Sequence, residues 1–128
     1  MAKIKVAVIG IGGFGSSHLN SLKYCAVQDL TSLEAAVVRN QPSYKAQVDL
    51  LKRRGVRIYP NCEDMLTYEG KKIDLVTLPT SIDSHAELTI TCLKAGKHVL
   101  CEKPAACSWT ECLKMEKTMR QTGKVLAI

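Results

Sequence analysis

Gly10-Ile11-Gly12-Gly13-Phe14-Gly15 is the segment of this 128-residue chain whose composition and spacing best suit a chemical task. In a G-x-G-x-x-G turn between a strand and a helix, the first glycine permits the tight turn. The second leaves bare backbone for a pyrophosphate to approach, and the third lets the helix pack on the strand. Amides and dipole at the helix start then hold the phosphates. Gly10, Gly12 and Gly15 carry the pattern, and Ile11, Gly13 and Phe14 share the loop as further cofactor contacts. Glycine also marks plain turns, so a structural turn is the alternative reading. The apolar alternation of Ile4, Val6 and Val8 just before it favours dinucleotide binding.

Three further groups could complete such a site. After the second apolar run comes Val37-Val38-Arg39-Asn40, where NAD-using enzymes place an acid for the ribose hydroxyls. Glu34 lies too early to serve, and the Arg39 guanidinium suits a 2′-phosphate, so NADP is favoured over NAD. The alternative is that Arg39 is solvated or stacks on adenine without choosing. Leu78-Pro79-Thr80 follows the fourth apolar run, across the sheet's switch point from the glycines, with His85 just beyond. His85 falls in the first turn of a helix, where positive charge is disfavoured, and is read as a neutral hydrogen-bonding ring or a packing histidine. Finally, Glu102-Lys103-Pro104 ends the fifth run. Lys103 there could offer an ammonium to a hydroxyl or carbonyl, or stand at a solvated corner.

The elements that must position these groups alternate along the chain. Strands are expected at Ile4–Ile9, Leu33–Val38, Val56–Tyr59, Ile73–Leu78, His98–Cys101 and Lys124–Ile128. Helices are expected from Phe14 to about Cys25, from Pro42 to before Gly55, from an Asn61 cap through Leu66, and from about Asp83 to Ala95. A last helix starts at the capping box Ser108-Trp109-Thr110-Glu111 and stops at Gly123. Strict alternation of this kind predicts an α/β fold: a doubly wound parallel sheet of order 3-2-1-4-5-6, helices on both faces. The chain stops inside its last apolar strand, which reads as the first domain of a longer protein.

Composition narrows the partners. Hydrophobic residues are 46% and charged residues 23%, as in an ordinary globular domain, and no apolar run is long enough to span a membrane. MAKIKVAVIG passes straight into a strand without a signal-peptide pattern, which points to the cytoplasm. The net charge of +6 is scattered and free of interleaved aromatics, so it argues for an anionic small ligand rather than nucleic acid. Six cysteines without a C-x-x-C pair read as reduced thiols, not as a metal site or disulfide scaffold.

The glycine loop, Leu78-Pro79-Thr80 with His85, and Ala95-Gly96-Lys97-His98-Val99-Leu100-Cys101-Glu102-Lys103-Pro104 together resemble the glucose–fructose oxidoreductase/inositol dehydrogenase/MocA family. The resemblance covers essentially the whole chain. It implies the cofactor domain of an NAD(P)-dependent oxidoreductase moving hydride to or from a hydroxyl-bearing carbon of a sugar, an inositol or a related small molecule. It makes Lys103 the catalytic candidate, and Pro79, Thr80, His85 and Glu102 cofactor contacts. Many members carry an acid where this chain has Arg39. Members also have a second domain that binds the substrate, and this chain contains none of it, so alone it is expected to be inactive. A non-enzymatic NADP(H)-sensing module is the other reading. Redox regulation through Cys101 or Cys107 and a homo-oligomer formed through an exposed apolar face complete the expectations.

Overall fold

Six parallel strands form one sheet in a computed structural model that describes residues 2–128, apart from the side chains at positions 25 and 26. They are β1 (Ile4–Ile9), β2 (Thr31–Val37), β3 (Arg57–Tyr59), β4 (Leu75–Leu78), β5 (His98–Cys101) and β6 (Leu126–Ala127). Their order is β3-β2-β1-β4-β5-β6, the expected doubly wound arrangement. Helices α1 (Phe14–Ser21), α2 (Cys25–Gln28), α3 (Lys45–Arg53), α4 (Cys62–Glu69), α5 (His85–Lys94) and α6 (Trp109–Thr122) connect them.

Alternation along the central strands divides the core. Ala35 and Val37 face a cluster with Met65 of α4, Leu93 of α5 and Met115 of α6. Ala36 and Val38 face the other way, toward Val48 and Leu51 of α3 and Leu19 of α1. Each large side chain buried here contributes about 1.5–3 kcal/mol. Helices therefore cover both faces, and the loops leaving β1 and β4 part to opposite sides. A crevice opens at that parting, beyond the strands' carboxyl ends.

Local chemistry explains where the elements end. The Asn61 side chain accepts from the Asp64 amide to cap α4, and Ser108 with Glu111 closes the capping box of α6. Gly123 takes the left-handed conformation that stops α6, at φ 68°. The first helix, expected to reach Cys25, ends at Ser21. Lys23 and Tyr24 donate to Asn20 and Ser21, three residues back, tightening the chain out of α-geometry. Serine and asparagine compete with the helix for backbone groups, which weakens this stretch. β2 starts two residues earlier than expected, and its register against β1 skips Glu34. That side chain meets Arg57 on β3 instead, 3.3 Å away. β6 is also shorter than expected, with two residues paired to Val99 and Leu100.

Candidate functional site

The glycine loop leaves β1 and enters α1 with each glycine under a distinct constraint. Gly10 adopts φ +94°, a region that favours glycine, while its amide donates to the Val37 carbonyl at 2.9 Å. A Cβ on Gly15 would stand 2.8 Å from the carbonyl carbon of Gly10, and nearer still to its oxygen. Only a bare Cα lets α1 approach β1 this closely. At Gly12 the neighbour is the Tyr44 side chain, whose Cζ lies 2.8 Å from the position a Cβ would take. Pro79, buried, comes within 3.7 Å of the corresponding position at Gly15, so the β4 loop also closes on the glycines.

The start of α1 differs from those of α4 and α6. Gly13 at its N-cap offers no side chain, and the first turn carries no acid. Among the described residues, nothing accepts a hydrogen bond from the amides of Gly12, Gly13 and Phe14. Unsatisfied amides at a positive helix end suit an anion, and with the Tyr44 side chain swung aside the bare Gly12 backbone lets phosphate reach them. The donor set fits the pyrophosphate of a dinucleotide.

Of these three residues Gly12 borders a cleft of about 520 Å³, lined by Gly10, Ile11, Gly12, Arg39 and Thr80 among others, whereas Gly13 and Phe14 do not line it. Arg39 is exposed, just beyond β2, and makes no ion pair among the described residues. Glu34 is committed to Arg57, so no acid from β2 takes the ribose-binding place. Thr80 accepts from the Ser84 hydroxyl at 2.8 Å. Tyr44, Asn61, Cys62, Glu63, Ser84 and Glu87 also line the cleft and were not picked out from the sequence for this role. The rule that ligands gather at strand carboxyl ends points to the β3–α4 turn as well, where Asn61 had been read only as a cap.

The remaining candidates lie outside that wall. His85 is almost fully buried, with Nδ1 2.9 Å from the Pro104 carbonyl and Nε2 3.0 Å from the Thr80 carbonyl. A neutral imidazole donates to one of these oxygens, an imidazolium to both. Both ring nitrogens are thus occupied by the protein, and His85 ties the β4 loop to the β5 loop rather than facing the cleft. Glu102 meets His18 of α1 at 2.9 Å. That hydrogen bond holds the Glu102 carboxyl below its usual range, with help from the Lys103 amide. Lys103 is exposed, its Nζ 5.9 Å from the centre of the Phe14 ring, a cation–π contact. Lys103 and Phe14 therefore stand together at the start of α1, with Gly13 beside them in the loop.

A second groove, of about 390 Å³, separates α1 from α3 and is lined by Leu19, Leu22, Leu50 and Arg54. None of the glycines lines it. Among the described residues no cluster of His, Cys, Asp and Glu could hold a metal, and no helix is long and apolar enough to cross a membrane.

Comparison with known proteins agrees with this geometry. D-glucoside 3-dehydrogenase of Escherichia coli is 32% identical over 124 residues, covering 97% of this chain and 34% of that protein. Inositol 2-dehydrogenase of Salmonella typhimurium is 28% identical over 122 residues, covering 94% of this chain and 34% of that protein. The crystal structure of the WlbA dehydrogenase from Bordetella pertussis, in complex with NADH and UDP-GlcNAcA, superposes with a TM-score of 0.85. It is 26% identical, over 98% of this chain and 36% of that one. The chain thus spans about a third of the length of the relatives it matches. The family model described as "Oxidoreductase family, NAD-binding Rossmann fold" matches residues 4–128. On that match and the six-stranded sheet that bears it, the chain belongs to the GFO_IDH_MocA oxidoreductase family as its NAD-binding Rossmann fold.

Proposed function

We propose that this chain is the cofactor-binding domain of an NAD(P)-dependent oxidoreductase. Its reaction is hydride transfer to or from a hydroxyl-bearing carbon of a sugar, an inositol or a related small molecule. The observation that carries the reading is the set of three open amides at the start of α1, with Gly12 at the edge of the cleft. The bound nicotinamide supplies the hydride chemistry. The chain's own residues bind and orient. Gly12, Gly13 and Phe14 hold phosphate through their amides, Arg39 takes the adenosine end, and Thr80 borders the cleft from β4. Lys103, fixed between Phe14 and Pro104, serves as the catalytic residue by donating a hydrogen bond to the reacting oxygen. His85 acts as a positioning residue. Substrate-binding groups belong, in this reading, to the part of the relatives that this chain does not span. The free thiols among the described residues suit a reducing compartment, and we assign the chain to the cytoplasm. Exposed Trp109 and Leu113 on α6 support a homo-oligomer.

The same reading favours NADP. Arg39 is a guanidinium beside the cleft without an ion-pair partner among the described residues, and the acid of β2 is engaged elsewhere. Calorimetric titration with NADPH and NADH at one salt concentration tests it. Charge-assisted hydrogen bonds of about 1.5–3 kcal/mol correspond to a preference of about ten- to a hundred-fold for NADPH. Arg39→Asp removes that preference. Equal binding of both nucleotides by the wild type overturns the role of Arg39, and binding of neither by folded protein overturns the cofactor reading.

A further inference from the structure

Cys62 opens α4 and Cys92 sits near the end of α5, with their sulfurs 3.8 Å apart. Cys92 is fully enclosed, whereas Cys62 is buried yet forms part of the cleft lining. A disulfide needs the sulfurs about 2.05 Å apart, so closure moves them by roughly 1.8 Å. One partner thus lies at the cleft wall, where a small oxidant arrives, and the other lies behind it. We propose that Cys62 and Cys92 form an oxidative modification site under the nucleotide cleft, converted to a disulfide by hydroperoxides.

The chemistry assigns distinct roles to the two thiols. The hydrogen bond shared with Cys92 draws the Cys62 thiol below its usual value, against the opposing effects of burial and of Glu63. Its place in the first turn of α4 acts in the same direction. Cys92 is pushed up by that same bond and by burial, with Lys97 opposing. Cys62, on the cleft wall and at the start of α4, is the attacking thiolate. It takes the terminal oxygen of the hydroperoxide, breaking the O–O bond and releasing the alcohol, or water from hydrogen peroxide. The Cys92 sulfur then attacks the resulting sulfenic acid, and a second water leaves with the Cys92 proton. Two thiols lose two electrons, which reduce one peroxide bond. The new bond draws the start of α4, with Asn61 and Glu63 of the cleft wall, toward α5.

The test uses the fully reduced chain at low micromolar concentration, treated with hydrogen peroxide. Intact mass should fall by about 2 Da, and peptide mapping without reductant should join the Cys62 and Cys92 peptides. Cys62→Ser and Cys92→Ser should each abolish that joined peptide. The wild-type map decides the matter even where a variant fails to fold. Free Cys62 and Cys92 after exposed Cys107 has been oxidised, or linkage of either to another cysteine, would overturn the proposal. The consequence for nucleotides rests on the function proposed above: linked protein should bind NADPH about tenfold more weakly. Linkage with unchanged affinity would refute that consequence alone, and linkage in a chain that binds no nucleotide would refute the functional reading alone.

Discussion

Alanine at Gly12 and alanine at Gly15 separate the two uses of the glycine loop. At Gly15 the new methyl meets backbone: the carbonyl of Gly10, within 2.8 Å of its carbon. Ordinary contact begins near 3.4 Å, so α1 must retreat from β1 by at least about half an ångström. Overpacking of this kind costs about 1–3 kcal/mol, while replacing a helical glycine returns about 0.8–1 kcal/mol. The clash is with backbone, which places the cost at the upper end of that range, so the net expectation is a loss of about 2 kcal/mol. At Gly12 the obstacle is the end of the Tyr44 side chain, which can swing away. Stability should stay within about 0.5 kcal/mol. The methyl would nevertheless fill the space in which phosphate, with Tyr44 swung aside, reaches the open amides. Losing one charge-assisted bond of about 1.5–3 kcal/mol weakens nucleotide binding by about ten- to a hundred-fold. Urea denaturation measures the first quantity and calorimetric titration the second. Wild-type stability in Gly15→Ala, or undiminished binding in Gly12→Ala, would refute the reasoning.

Other perturbations reach different parts of the account. His85→Ala removes a buried ring that joins the Thr80 and Pro104 carbonyls, and should cost about 2–3 kcal/mol in urea denaturation. Thr80 would lose its anchor, so nucleotide affinity should fall as well; a stable variant with full affinity would show that the tie positions nothing. Glu69 is a buried carboxylate that accepts from Arg57 and, at 2.6 Å, from the Tyr59 hydroxyl. The Arg57 bond holds its pKa below the ordinary 4.5. Its stabilisation is therefore complete above about pH 4.5 and is lost as the pH falls through the lower folded-state value. Glu69→Gln should lose about 2 kcal/mol at pH 7 and show a shallower acid limb than the wild type. An unchanged acid limb would place the acid sensitivity elsewhere.

How much of this could be read in the chain depends on how local the cause is. Strand alternation, the glycine spacing, the Asn61 cap and the Ser108–Glu111 box are all set by near neighbours, and the structure shows all of them. Sheet order followed from right-handed crossovers applied to that alternation. What escaped were contacts made by chain-distant residues. Tyr44 lies over Gly12 because the turn before α3 folds back across the loop after β1. Glu34 finds Arg57, and Arg57 finds Glu69, only after β2 and β3 pair. Cys62 and Cys92 are thirty residues apart in sequence and meet because α4 and α5 share a face. The sequence alone instead directs the redox expectation to Cys101, whose thiol burial pushes up, and to exposed Cys107. The sequence puts His85 just beyond the Thr80 loop, but its burial between the Thr80 and Pro104 carbonyls depends on the distant β5 loop and could not be read there.

Amide chemical-shift mapping on titration with NADPH tests the central claim, that a dinucleotide binds where the glycine loop meets the β2 and β4 loops. The largest changes should fall at Gly12, Gly13, Phe14, Arg39 and Thr80, with the groove between α1 and α3 unmoved. Changes confined to that groove, around Leu19, Leu22 and Leu50, or a folded spectrum that does not respond to the nucleotide, would contradict it.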